Sequence, residues 1–189
     1  MRRLLFAGLL ILPFAPGADD VAALRTRPVV TRTVASTRPP ADSVPPLARY
    51  LVGSWTCQGG TPSGRKLTSE VRFAALLGNR WLESSHVDVP PGPYASLALW
   101  PLSPADSSPP ATVVYDNFGG ARRFLVNGWT ADSIVLVRDT TERGARLEQF
   151  TYRRVSPNTY WYAWHVRRAA GGPVVLGDSA SCTRRPATP

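Results

Sequence analysis

Gly53-Ser54-Trp55-Thr56-Cys57-Gln58-Gly59 repeats with a period of two. Trp55 and Cys57 fall on one side, with Ser54, Thr56 and Gln58 on the other. That is the pattern of a half-buried strand, and no helical period of 3.6 fits it. The only other cysteine, Cys182, stands far along the chain in a second alternating run, Val174 to Thr183. One cysteine therefore sits on the first strand and the other on the last, and what lies between them decides the fold.

Alternation continues through that interval. Leu67, Ser69, Val71 and Phe73 alternate with Thr68, Glu70 and Arg72. After a Gly78-Asn79 turn, Trp81, Glu83, Ser85 and Val87 alternate with Leu82, Ser84, His86 and Asp88. Pro90-Pro91-Gly92-Pro93 breaks the chain before Tyr94 to Pro101. Beyond a Ser/Pro loop, Thr112 to Phe118 and Arg122 to Trp129 flank a Gly119-Gly120 hairpin turn. Asp132 to Asp139, Arg146 to Val155 and Asn158 to Arg168 follow, and Gly171-Gly172-Pro173 precedes the last run. The only helical signal is one short turn at Leu47 to Leu51.

About ten strands joined in order by short turns predict an all-β, antiparallel, mostly up-and-down barrel, because closure removes the edges an open sheet would expose. In a closed meander the first and last strands are neighbours, which brings Cys57 and Cys182 within reach of a disulfide. The alternatives are two unpaired buried thiols and a zinc site, which would need more ligands than two cysteines supply.

The N-terminus points to an oxidising destination for that pair. Arg2 and Arg3 precede an apolar run from Leu4 to Ala15, the layout of a signal peptide and too short to span a membrane. Cleavage is expected after Val21-Ala22-Ala23, so residues 1–23 are read as signal peptide. Residues 24–46 carry Arg25, Arg27, Arg32, Arg38 and five prolines but no aromatic residue. They read as a disordered Pro/Arg-rich linker, since nothing in them can bury enough apolar surface to offset ordering. Residues 47–186 form the barrel domain. The expected location is secreted or periplasmic, with no membrane span and no nucleic-acid partner. The formal charge of +9, with 22 Lys+Arg against 13 Asp+Glu, is then a matter of solubility and of attraction to anions.

Leu51 to Gly60 resembles the opening Gly-x-Trp strand of lipocalin-like and nitrobindin-like (calycin-type) barrels. Leu77-Gly78-Asn79-Arg80-Trp81-Leu82, Tyr115-Asp116-Asn117-Phe118-Gly119-Gly120, Asn127-Gly128-Trp129 and Ser181-Cys182-Thr183-Arg184 add to the likeness. Together they resemble a bacterial family of exported proteins of unknown function with that barrel. The resemblance implies a central cavity for a small apolar ligand or a haem. Haem-binding members place a histidine on the final strand, and Val174 to Thr183 contains none, so no cofactor is expected here.

Candidate chemistry is sparse. His86 and His165 are the only histidines, and both read as surface or hydrogen-bonded side chains. Gly177-Asp178-Ser179-Ala180 resembles an esterase block but lies at the end of an all-β chain with no histidine after it. No catalytic or metal-binding residue is expected. The aromatics carry more information. Tyr160, Tyr162 and Trp164 share one face of a strand, and a ten-stranded barrel is wider than those whose interiors side chains fill. The expected ligand-binding set is Trp55, Phe73, Trp81, Trp100, Tyr160, Tyr162 and Trp164. The ligand is expected to be small and apolar, or anionic if one arginine of a pair such as Arg122-Arg123 points inward. The alternatives are a filled barrel acting as a structural or interaction domain and, behind that, an enzyme using His165.

Overall fold

The computed structural model describes residues 44–90, 92–102, 110–141 and 144–186. The expected signal peptide, and the expected linker up to residue 43, lie outside the described residues. Val44 is buried in the core and Pro46 opens a helix, so the fold already includes the last residues assigned to the linker.

One short helix, α1 (Pro46–Leu51), precedes ten strands. They are β1 (Gly53–Gly60), β2 (Lys66–Leu76), β3 (Trp81–Asp88), β4 (Ala95–Pro101) and β5 (Ala111–Asp116), then β6 (Ala121–Trp129), β7 (Ser133–Arg138), β8 (Glu148–Ser156), β9 (Thr159–Arg167) and β10 (Val174–Arg184). Each strand pairs antiparallel with the next in sequence, and β10 pairs back onto β1 to close the barrel. The expected fold class is the observed one. Cys57 and Cys182 stand directly opposite each other in the β1–β10 register and are joined by a disulfide, so a covalent bond crosses the closing seam.

The alternation read from the sequence is the in–out alternation of the barrel. Trp55 and Cys57 point inward, as do Val71 and Phe73 of β2, Ile134 and Leu136 of β7, and Tyr160 and Tyr162 of β9, all of them buried. Several strand boundaries differ from expectation by one or two residues, and at β5 the cause is visible. Phe118 lies in the β5–β6 turn rather than in β5, because the Asp116 carboxylate accepts hydrogen bonds from the backbone N–H of Phe118 (3.1 Å) and Gly120 (2.9 Å) and ends the strand.

The barrel has one closed and one open end. At the end where β1 starts and β10 finishes, α1 lies across the opening with Leu47, Ala48 and Leu51 fully buried. Pro46 suits the start of the helix, its fixed φ being helical and its missing N–H having no partner to lose. A helix this short is held by packing rather than propensity. The Trp55 indole N–H donates to the Leu51 carbonyl (2.7 Å), and the Arg184 guanidinium lies over the Trp55 ring at 4.1 Å while donating to the Val52 carbonyl (2.8 Å) and to that of Tyr50. Above this plug, Trp55 meets Tyr160 edge-on at 4.8 Å, and Phe73 meets Trp100 edge-on at 5.6 Å. These large rings fill the closed half.

Candidate functional site

The open half holds a cavity of about 340 Å³. Its floor is the upper surface of the packed rings: Phe73, Trp100, Phe150, Tyr152 and Tyr160, with Leu136 beside them. Tyr152 contacts Trp100 at 4.9 Å, and Phe150 contacts Phe124 at 5.4 Å, so the floor is continuous with the core and held rigid by it. Small side chains from β3 and β4, Ser84, Ser96 and Ala98, line one wall and leave the space that large ones would take. The volume falls at the lower end of the range for small-molecule sites, and its mixture of apolar walls with a few polar groups is typical of them.

The aromatic residues expected at the site divide. Phe73, Trp100, Tyr160, Tyr162 and Trp164 line the cavity. Trp55 points inward but lies beneath the floor, engaged by α1. Trp81 belongs to the outward-facing set of β3. Its neighbour Leu82, fully buried and paired with Trp100, takes the inward position. Inward arginine is realised at Arg122, though not as a free cation: it donates to Glu148 (2.9 Å) and the Tyr94 hydroxyl (3.1 Å), with Asp116 at 3.5 Å. Glu148 also accepts from the Trp164 indole N–H (3.1 Å), which fixes that ring at the wall.

The structure adds polar residues that sequence reasoning left aside. His86 and Asp88 share the inward face of β3 with Ser84, and the His86 Nε2 is bonded to the Asp88 carboxylate at 3.0 Å. The other histidine, His165, follows Trp164 in β9 and faces outward, away from the cavity. From β10, Asp178 enters the cavity beside Trp164. The supposed esterase block thus supplies a carboxylate, not a nucleophile. Gly177, next to it, sits at a β-bulge against the Trp164 ring, and a Cβ there would fall on the ring's atoms.

Burial sets the protonation of this lining. It pushes the hydroxyls of Tyr152, Tyr160 and Tyr162 well above the usual phenol range, so all three stay protonated at physiological pH. The Tyr162 hydroxyl bonds Ser69, and that of Tyr160 donates to the Cys57 sulfur at 3.6 Å. Asp178 is pushed up to about 6, first by burial and then by repulsion from Asp88, with Arg65 acting the other way.

Haem does not fit these residues. The inward positions of β10 are Asp178, Ala180 and Cys182, and none is a haem ligand of the kind the resemblance implies. The imidazole present, His86, has its Nε2 engaged by Asp88. Among the described residues no group of His, Cys, Asp and Glu could hold a metal ion, and no helix is long and apolar enough to cross a membrane.

No family model and no curated protein matches the chain. Among solved structures it is similar to Rv2717c from M. tuberculosis, with 21% identity and a TM-score of 0.50, over 72% of this chain and 94% of that one. It is also similar to two redesigned β-barrels. One, b11L5F_LGL, has 14% identity and a TM-score of 0.38, over 74% of this chain and 95% of the other. The second, mFAP1 bound to DFHBI, has 14% identity and a TM-score of 0.37, over 72% and 97%. The likeness to Rv2717c agrees with the strand pairing: the fold is a closed, ten-stranded antiparallel β-barrel.

Proposed function

We propose that the protein is an exported binding module that takes a small, largely apolar molecule into the open half of its barrel. The observation that carries this reading is the division of the interior. Large buried rings occupy the closed half, whereas in the open half Ser84, Ser96 and Ala98 stand where larger side chains would have filled the space. A barrel serving only as a scaffold gains stability from filling that volume. The disulfide at the seam supports an oxidising destination, as does the basic and apolar N-terminus.

Native mass spectrometry of the protein from its own exported fraction tests the reading. An added mass that is lost on denaturation is expected, together with its loss from an Ala98→Phe variant, in which the ring occupies the cavity. Bare protein across independent preparations, with no thermal shift from apolar amphiphiles, would overturn it. A ligand at a hundred times its Kd should stabilise the fold by about 2.7 kcal/mol.

A further inference from the structure

We infer that the polar end of the molecule bound in the cavity is a positive charge, an ammonium or quaternary nitrogen carried on an apolar body; this rests on the reading that the cavity takes a ligand. Two carboxylates from one side of the wall reach the space, Asp178 from β10 and Asp88 from β3, with β1 and β2 between those strands. Asp88 is bonded to His86, whereas Asp178 has neither a hydrogen bond nor an ion pair among the described residues. A carboxylate partly withdrawn from water without a partner is costly, and a cation from the ligand supplies the partner.

The cations of the lining do not fill that role. Arg122 is held by Glu148, Asp116 and Tyr94. Arg65 sits in the exposed β1–β2 turn and makes no ion pair with Asp178. An anionic ligand would find Arg122 already neutralised and would face two carboxylates, with only Arg65 of the exposed turn to oppose them. The walls favour the same sign. His86 lies against Tyr94 at 5.6 Å and Tyr162 at 6.4 Å, and Tyr162 lies 5.9 Å from Tyr152. Ring faces beside carboxylates attract a cation through both the π-system and the charge. Below the ring cluster, the floor of Phe73, Trp100 and Phe150 accepts the apolar body.

Three probes sharing one body separate the possibilities: 4-phenylbutylamine, 4-phenylbutanol and 4-phenylbutyrate, titrated calorimetrically into the disulfide-intact protein at pH 7.5. The amine is expected to bind at least about tenfold tighter than the alcohol, with the acid weakest. Asp178→Asn, a substitution of equal size, should bring the amine down to the alcohol's affinity, and Ala98→Phe should abolish binding of all three. The groups facing Asp178 are Asp88 and His86 of β3, Arg65 of the β1–β2 turn, Tyr94 of the β3–β4 loop, Tyr152 of β8 and Tyr162 of β9. As Asp178 takes up a proton below about pH 6, the amine's advantage should shrink in the wild type and stay flat in Asp178→Asn. Equal affinity for amine and alcohol, or preference for the acid, overturns the cation while leaving the binding module standing. If none of the three binds, the binding reading itself fails and the inference falls with it.

Discussion

An ionised carboxylate at position 178 costs the folded state free energy, because burial and Asp88 both favour its protonated form there. The native value of about 6 lies above the ordinary 3.8, so the group's contribution to stability is complete below about pH 4 and is lost as the pH rises through 6. Asp178→Asn should accordingly stabilise the protein by about 1–2 kcal/mol at pH 7.5 and by little at pH 4. Urea unfolding at the two pH values checks this, and an equal effect at both would rule out the charge as the cause. Trp55→Phe should act in the opposite direction, costing about 1–2 kcal/mol by leaving the Leu51 carbonyl without its donor. The two residues differ in how far the sequence exposed them. Trp55 announces itself as an inward ring on an alternating strand. Asp178 does not, since its neighbours Gly177 and Ser179 point to no cavity until β10 is laid against β9.

Strands were the most legible feature, since each carries its own alternation, but which side of each strand faces inward was not always decided by that pattern. In β3 the two sides read Trp81, Glu83, Ser85, Val87 and Leu82, Ser84, His86, Asp88. Neither is clearly the more apolar, and only pairing with β2 and β4 turns the second inward. That ambiguity placed Trp81 among the expected lining residues and left His86 out. The bulge in β10 was equally hidden, because a glycine in a strand signals a bulge only when its neighbour is known. Gly177→Val should force the Trp164 ring towards the cavity and break its bond to Glu148. The expected cost is about 1–3 kcal/mol, with a changed tryptophan emission spectrum and weakened binding of apolar probes. Unchanged fluorescence and stability would show that the bulge yields instead of the ring.

Closure was predictable from the cysteines once ten sequential strands were counted, because only a closed meander brings the first strand to the last. The division into a filled and a hollow half was not predictable in the same way, since it depends on the summed volumes of side chains from every strand at one level of the barrel. The seam itself is testable. Replacing both Cys57 and Cys182 by alanine should cost about 2–4 kcal/mol, since the bridge restrains a chain segment with a sequence separation of 125. The measurement is the shift in urea midpoint, and the hydrogen bonds of the β1–β10 pair should still hold the native fold together without the bridge. A midpoint that stays put would mean that those bonds alone fix the seam.

The helical plug at one pole has a practical corollary. The chain enters the fold through Val44 and α1 and leaves it just after Arg184, whose guanidinium reaches the backbone of Tyr50 and Val52. Entry and exit are therefore on the sealed side, and the mouth looks the other way. A reporter, an affinity handle or a solid support attached through either end of the barrel would leave the opening unobstructed, like a cup fastened by its base.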